Sequence, residues 1–151
     1  MSAMELEILE FKSGGNSYGI RVSDIREILP YKIKPTPVPN AHPYVEGIII
    51  PRDFVIPIVS SLKVLELQDV NEVKKEMLIV TSYLDMNIAL RVDSVKGIHR
   101  VLEDEIKKTD KKLTTKHKDR ICGVIEKDAL RIEIIDMKQI IGVINPEIKF
   151  A

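Results

Sequence analysis

Residues 44–59 read Tyr-Val-Glu-Gly-Ile-Ile-Ile-Pro-Arg-Asp-Phe-Val-Ile-Pro-Ile-Val, two apolar runs around a short polar break. The runs are Ile48–Ile50 and Val55–Val59, and the break spans residues 51–53. β-branched residues in short runs around turn-forming residues are typical of a buried β-hairpin. We therefore predict a hairpin here, followed by a short helix for which Ser60 supplies the N-cap.

A second copy of this pattern lies near the end of the chain. Residues 123–135 read Gly-Val-Ile-Glu-Lys-Asp-Ala-Leu-Arg-Ile-Glu-Ile-Ile, and aligning Gly123 with Gly47 places apolar residues opposite apolar residues. Asp136 then stands where Ser60 stands in the first copy. The pattern predicts another hairpin and another short helix, capped by Asp136 and ended by Gly142.

A different segment also occurs twice. Residues 19–28 read Gly-Ile-Arg-Val-Ser-Asp-Ile-Arg-Glu-Ile, and residues 89–98 read Ala-Leu-Arg-Val-Asp-Ser-Val-Lys-Gly-Ile. Two separate segments that repeat in the same order indicate an internal duplication. We predict one domain over residues 1–151, with approximate halves at 5–66 and 76–142 and termini that can cross between them.

The N-terminal segment predicts a strand and then a helix. Apolar and polar residues alternate over residues 5–12, with a phase slip between Ile8 and Leu9 that suggests a β-bulge. Ser23 precedes apolar residues at helical spacing, and a proline follows at position 30. This spacing predicts a short helix that begins at Ser23 and ends at Pro30.

Composition excludes several classes of protein. The 151 residues are 44% hydrophobic with 23 basic and 23 acidic side chains, so we expect a globular domain without a nucleic-acid partner. No apolar run approaches the roughly 20 residues that span a bilayer, so we expect no direct membrane insertion. The mixed charge run 103–119 predicts a solvated loop. The single cysteine, Cys122, fits a cytoplasmic location.

Residues suited to catalysis or metal binding are scattered along the chain. The spacing from His99 to His117 and Cys122 matches no standard zinc pattern, and His42 lies far from them. Ser60 follows an apolar strand but lacks the flanking glycines of a nucleophile elbow. Cys122 begins an apolar strand, where a small buried hydrophobe is expected. The sequence predicts no catalytic residue, no metal site and no cofactor, and hence no enzyme.

Two features near the first hairpin each allow two interpretations. Four prolines between Tyr31 and Pro43 hold the chain extended, which suits either a rigid crossover or an exposed docking edge. Arg52 suits either a solvated turn or, surrounded by apolar side chains, a recognition site. Pro57 inside a strand indicates an edge or a bulge. These residues alone indicate a β-rich, duplicated protein that binds another protein.

The region around the first hairpin resembles a known family. Residues 36–49 read Thr-Pro-Val-Pro-Asn-Ala-His-Pro-Tyr-Val-Glu-Gly-Ile-Ile, followed by Arg52 and by Val55–Val59. Together they closely resemble the CheW family of chemotaxis coupling proteins. Weaker matches follow the family order elsewhere, at Tyr18-Gly-Ile, Ile25-Arg-Glu-Ile, Val92-Asp-Ser-Val and Ile135-Asp-Met. The resemblance implies a mainly β fold of two intertwined, SH3-like, five-stranded β-barrels with short helices.

The resemblance also implies a function. CheW-like proteins are non-catalytic adaptors that join the regulatory domain of a CheA-type histidine kinase to the signalling tips of chemoreceptors in the cytoplasm, within membrane-associated receptor arrays. By position, Arg52 and Glu27 match receptor-coupling residues, Glu27 on a helix of the same neighbourhood. The residues that match the kinase-pairing region are Gly47, Ile48, Ile49, Ile50, Val55, Ile56, Pro57 and Ile58.

This chain departs from the family pattern at the hairpin tip. The family usually reads Gly-Val-Ile-Asn-Leu-Arg-Gly, whereas Ile50, Pro51 and Asp53 stand here for the asparagine, the leucine and the second glycine. The glycine gives easy access to positive φ, which aspartate lacks. The chain length favours a stand-alone coupler. The alternatives are a divergent paralogue that serves a kinase pathway outside chemotaxis, and a small-molecule-binding β-barrel.

Overall fold

The computed structural model describes residues 4–32, 34–70, 74–108 and 112–145. Within these ranges the chain forms strands with short loops, two α-helices and three 3-10 turns. The elements are β1 (Glu5–Ser13), β2 (Asn16–Arg21), β3 (Ile25–Pro30), β4 (Val45–Ile49), β5 (Ile56–Ser60), α1 (Ser61–Val64), β6 (Met77–Tyr83), β7 (Met86–Val92), β8 (Ser94–Leu102), β9 (Ile121–Lys127), β10 (Leu130–Ile135) and α2 (Met137–Ile144).

The strands form two five-stranded sheets that share both halves of the chain. Sheet 1 has the order β8-β1-β2-β10-β9, and sheet 2 has the order β3-β6-β7-β5-β4. If β1–β5 are matched to β6–β10, the two orders are identical. Each sheet takes its inner hairpin from one half of the chain and its other three strands from the other half. The predicted pair of intertwined five-stranded units is confirmed, while in the described residues no ladder closes either sheet into a barrel.

Three of the hairpins close with a two-residue turn, and one does not. These turns lie between β1 and β2, between β6 and β7, and between β9 and β10, and both residues of each turn have positive φ. This geometry matches the twist of the paired strands. The hairpin of β4 and β5 instead carries residues 50–55 as a longer loop without any positive φ. Aspartate at position 53 is therefore accommodated where the family has glycine.

The strands bury apolar residues on both faces. The largest core lies between the two sheets, and each sheet has a smaller core on its other side. Side chains of the central core come from both sheets and include Leu9, Phe11, Tyr18, Ile20, Val59, Ile79, Ile88 and Leu90. Strands that are covered on both faces read as nearly continuous apolar runs, which explains the runs in the sequence.

The bulge predicted between Ile8 and Leu9 is wrong. Ile8 packs in the small core of sheet 1 and Leu9 packs in the central core, so both are buried by ordinary alternation. The register of β1 against β8 shifts instead between Glu10 and Phe11. Two neighbouring apolar residues look like a phase slip only if one face of the strand is assumed to be solvated.

The helix predicted from Ser23 to Pro30 is also wrong. Ser23 lies in a 3-10 turn, and β3 follows it as a strand that pairs antiparallel with β6. Half-buried and exposed residues alternate along β3, and a register shift lies between Ile25 and Glu27, so that Ile25 packs against the central core and Leu29 against the smaller core of sheet 2. In the sequence, apolar residues four positions apart fit a helix as well as a strand, and here the pairing with β6 decides between them.

The two N-caps are confirmed. The Ser60 hydroxyl accepts a hydrogen bond from the Lys63 N–H at 3.3 Å, and the Asp136 carboxylate accepts bonds from two N–H groups in the first turn of α2. The predicted helix end at Gly142 is wrong, because α2 continues to Ile144.

An equivalent crossing occurs in each half of the chain. The connector between β3 and β4 crosses the hairpin of β4 and β5 beside Gly47. In the same way, the loop between β8 and β9 crosses the hairpin of β9 and β10 beside Gly123. The bridged pairs are Thr36 with Ile48 and Lys107 with Val124. The duplicated sequence pattern thus extends to the contacts of the connecting segments, and the proline-rich connector is an extended crossover laid along the edge of β4.

Candidate functional site

The loop 50–55 is fixed to strand β3 by an ion pair. Arg52 Nη2 lies 3.1 Å from Glu27 Oε2, and Arg52 Nη1 lies 3.3 Å from Glu27 Oε1. The Arg52 side chain is 66% exposed and that of Glu27 is 20% exposed. Because Glu27 lies on β3, its predicted helical location is wrong. The structure nevertheless brings together the two residues that match receptor-coupling positions by resemblance.

A second contact ties the same loop to β3. The Arg26 guanidinium carbon lies 4.9 Å from the centre of the Phe54 ring, a distance typical of a cation–π interaction. The loop also exposes Ile50 and Val55, at 59% and 60% of their surface. Apolar side chains held in place beside a fixed charge pair form a surface suited to protein recognition.

The eight residues assigned to kinase pairing differ in their accessibility. Gly47, Ile56 and Ile58 are buried, and the side chains of the two isoleucines belong to the core of sheet 2. The remaining five are partly or largely accessible, namely Ile48, Ile49, Ile50, Val55 and Pro57. A partner that binds this hairpin can reach only the second group, which lies mainly at the end near the loop 50–55.

The sequence did not predict a cluster of charged residues on sheet 2, formed by Arg91, Glu46 and Glu76. Arg91 on β7 lies 2.8 Å from Glu46 Oε2 and 2.6 Å from Glu76 Oε2, and its guanidinium carbon lies 4.2 Å from the centre of the Tyr31 ring. Burial disfavours the charged guanidinium, but the bonds to Glu76 and Glu46 outweigh it and raise the pKa of Arg91 above its usual range. Arg91 therefore fixes β4 and the start of the connector.

The charged run 103–119 is not wholly solvated. Thr115 is buried and donates a hydrogen bond to the Leu65 carbonyl at 2.7 Å. The Thr114 hydroxyl donates to buried Glu133 at 3.0 Å. Arg120, just after the run, is buried and donates to the carbonyl of Val64. These contacts join the end of α1 to sheet 1, and no local signal in the sequence marks them.

No metal or nucleophile site is assembled in the described part of the chain. His42, His99 and His117 lie apart, and no group of three potential metal ligands occurs among the described residues. Ser60 caps α1 as predicted. The expectation of a buried Cys122 is wrong, because alternation along β9 turns this residue to the exposed side. No described helix is long and apolar enough to span a membrane.

Glu10 gives the fold a pH dependence that can be measured. Its buried carboxylate accepts a hydrogen bond from Ser17 Oγ at 2.9 Å and lies 2.8 Å from His99 Nε2. Burial alone would raise the pKa of Glu10, but the contacts with His99 and Ser17 outweigh it and hold the pKa below its ordinary value of 4.5. The ionised form therefore stabilises the fold above pH 4.5, and this contribution is lost as the pH falls through the lowered pKa.

We expect Glu10→Gln to be less stable than the wild type by about 1 kcal/mol at pH 7. The difference should shrink as the pH is lowered below 4.5, because the wild-type carboxyl takes up a proton as the pH falls through its lowered pKa. Urea unfolding of both proteins across this range measures the difference. A stability difference that does not shrink at any pH below 4.5 at which the wild type still folds would contradict the assignment.

Comparison with known proteins agrees with this architecture. The profile of the CheW-like domain matches residues 7–145. The Chemotaxis protein CheW of Thermotoga maritima is 29% identical over 137 residues, which cover 91% of this chain and 88% of that protein. The Chemotaxis protein CheW of Bacillus subtilis is 28% identical over 134 residues, with 82% and 85% covered.

A solved structure has the same fold. The scaffolding protein TtCheW from Thermoanaerobacter tengcongensis superposes with a TM-score of 0.80 at 24% identity, covering 88% of this chain and 90% of that chain. At this identity the likeness shows the fold, while the profile match over most of the sequence shows the family. The chain belongs to the CheW-like domain family.

Proposed function

We propose that this protein is a non-catalytic adaptor of chemotaxis signalling, which couples the signalling tips of chemoreceptors to the regulatory domain of a CheA-type histidine kinase. The observation that carries the proposal is the loop 50–55, held on β3 by the Arg52–Glu27 pair while it presents apolar side chains to solvent. The names of the relatives support chemotaxis as the process. The proposed location is the cytoplasm, at receptor arrays.

The two contact surfaces are proposed to be neighbours on sheet 2. The receptor surface is centred on Arg52 and Glu27, and the kinase surface uses the accessible residues of β4, β5 and the loop between them. The buried Gly47, Ile56 and Ile58 act there only by supporting the strands. Small-molecule binding and a pathway outside chemotaxis are not favoured, given the family and the names of the relatives.

Calorimetric titration against the kinase regulatory domain tests whether this protein binds the kinase. We expect saturable one-to-one binding. Absence of binding, with both proteins shown to be folded by circular dichroism, would reject the kinase as a partner.

The variant Arg52→Asp tests the proposed receptor surface. The substitution removes the exposed guanidinium and places a carboxylate near Glu27, so the charge pattern of the surface is reversed. We expect binding to a receptor signalling-tip fragment to weaken about tenfold or more, with the thermal midpoint nearly unchanged, because the side chain is exposed. Surface plasmon resonance measures the affinity.

Arg100→Asp is the matched control. Arg100 is a similarly exposed arginine on β8 of sheet 1, at 3.8 Å from Glu7. Its replacement should leave receptor binding unchanged. Equal receptor affinity of the wild type and Arg52→Asp would refute the role of Arg52, and an equal loss in both variants would indicate a general charge effect.

A further inference from the structure

A cavity lined mainly by lysines lies at one end of sheet 1, beside the turn between β1 and β2. It has a volume of about 440 Å³, within the roughly 300–1,000 Å³ of sites for small molecules. The described residues that line it are Lys12, Gly15, Val70, Lys74, Lys75, Asp93, Ser94 and Lys96. We name it the lysine cavity. Among these residues Val70 carries the only apolar side chain, so the cavity suits a compact, charged ligand.

The contacts of Asp93 fix the frame of the lysine cavity. Its carboxylate accepts a hydrogen bond from the Gly14 N–H at 2.9 Å, and its own N–H donates to the Lys12 carbonyl at 2.9 Å. Lys74 Nζ lies 3.5 Å from the same carboxylate and also pairs with Asp69. Asp93 thus joins the turn between β1 and β2, the start of β8 and the segment before β6, and its own charge is already engaged.

The other three lysines of the lining have no ion pair among the described residues. Lys12 lies on β1, Lys75 lies in the segment before β6, and Lys96 lies on β8. Four lysines against the carboxylates of Asp69 and Asp93 leave a net charge of +2 around the cavity. Like charges that share a cavity repel one another, and an anion bound between them relieves this repulsion.

The donors of the lysine cavity match the chemistry of a phosphate group. Lysine binds phosphate as a compact point charge, without the planar fork through which arginine holds carboxylates. A phosphate monoester carries about 1.5 to 2 negative charges at neutral pH, which balances the charge around the cavity. Ser94 stands opposite Lys12 in the register of β1 and β8, and its hydroxyl adds an uncharged donor to the same lining.

The duplicated architecture shows that this charge is specific to sheet 1. In sheet 2, the hairpin of β6 and β7 and the strand β3 occupy the equivalent places. The counterparts there of Lys12, Gly15, Ser94 and Lys96 are Ser82, Asp85, Asp24 and Arg26. Two carboxylates therefore stand where sheet 1 has a glycine and a serine, and Arg26 contacts Phe54. The fold itself does not require the lysines of sheet 1.

We propose that the lysine cavity binds the phosphate groups of a small soluble ligand. Lys12, Lys75 and Lys96 supply the charge, and Ser94 donates a hydrogen bond to a phosphate oxygen. The cavity borders sheet 1, whereas the loop 50–55 and the hairpin of β4 and β5 belong to sheet 2. Such a ligand is additional to the adaptor function, and its binding does not depend on that function.

The experiment titrates the protein with inorganic pyrophosphate at constant ionic strength and follows the backbone amides by NMR. We expect saturable shifts at Gly15, Ser94 and Lys96. The double variant Lys12→Gln/Lys96→Gln should raise the Kd about tenfold or more, because two of the charges are lost. Pyrophosphate should raise the thermal midpoint of the wild type much more than that of the variant, because a ligand stabilises the folded state according to its affinity.

The variants are expected to fold. Lys12 is half-buried, Lys96 is exposed, and neither forms an ion pair within the described chain. Circular dichroism and thermal melting without ligand check this. Lys75→Gln/Lys96→Gln changes two exposed side chains and serves as a second variant, for which the same loss of affinity is expected.

Lys116→Gln/Lys118→Gln is the matched control, since both lysines are exposed and lie outside the lysine cavity. It removes the same net charge and should bind pyrophosphate as the wild type does. An equal loss of affinity in the control, or shifts that increase without saturation, would overturn the proposal. Sedimentation with phosphatidylglycerol vesicles tests a lipid headgroup as the source of phosphate. Vesicle binding that requires Lys12 and Lys96, without pyrophosphate binding, would assign the cavity to a membrane surface and overturn the soluble ligand.

Discussion

Replacing Gly47 by alanine is expected to lower the free energy of unfolding by roughly 3 kcal/mol. Gly47 has φ +152°, and a Cβ atom there would lie 2.6 Å from the Thr36 carbonyl oxygen and 2.9 Å from Pro35 Cβ. Neither neighbour can rotate away, because one is backbone and the other belongs to a proline ring. The connector must therefore leave the edge of β4, and the paired hydrogen bonds between Thr36 and Ile48 are lost.

Gly123→Ala is the matched control for this prediction. Gly123 occupies the equivalent position in the second hairpin, but its Cβ would meet the Cγ2 methyl of Ile106 at 2.5 Å. The Ile106 side chain can shift more easily than a carbonyl or a proline ring, so we expect a smaller loss of about 1–2 kcal/mol. Urea unfolding compares the two variants, and hydrogen exchange reports on the Thr36 and Ile48 amides. Equal losses, or retained protection of both amides in Gly47→Ala, would contradict the crossing geometry.

Phe11→Ala is expected to destabilise the protein by about 3–5 kcal/mol. Phe11 is fully buried in the core between the two sheets, with its ring centre 5.8 Å from that of Tyr18. The loss is a large part of the roughly 5–15 kcal/mol that stabilises a typical domain. Because both sheets contribute to this core, we expect one cooperative transition at a lower midpoint, observed by calorimetry and circular dichroism alike.

Phe54→Ala is the control, since it removes the same side chain from the surface. Phe54 is 50% exposed in the loop 50–55 and contacts Arg26, so its loss should cost less than about 1 kcal/mol. Two separate transitions in Phe11→Ala, one for each sheet, would show that the sheets do not share a core.

Local sequence patterns were sufficient to predict the two repeated hairpins and the helices that follow them. Short apolar runs, turn residues and the caps at Ser60 and Asp136 act over a few residues, so each leaves its mark in the local sequence. β3 was mistaken for a helix because Ile25 and Leu29 have a spacing that both structures allow. Only pairing with β6, which is distant in sequence, distinguishes them.

The candidate site was predicted in part, for a related reason. Arg52 stood out because a charge at the tip of an apolar hairpin is conspicuous, and the resemblance added Glu27. Arg91 and Arg120 could not be found, since a charged residue in a strand or after a charged run gives no sign of its distant partners. Their roles depend on contacts with Glu46 and Val64, which are distant in sequence.

The most direct test of the adaptor is a sedimentation assay with vesicles that carry receptor cytoplasmic fragments. Labelled kinase regulatory domain is added with and without this protein, and its sedimented fraction is measured. The account predicts that the regulatory domain sediments with the vesicles only when this protein is present, and much less with Arg52→Asp. A regulatory domain that stays in the supernatant while this protein sediments would contradict the coupling function.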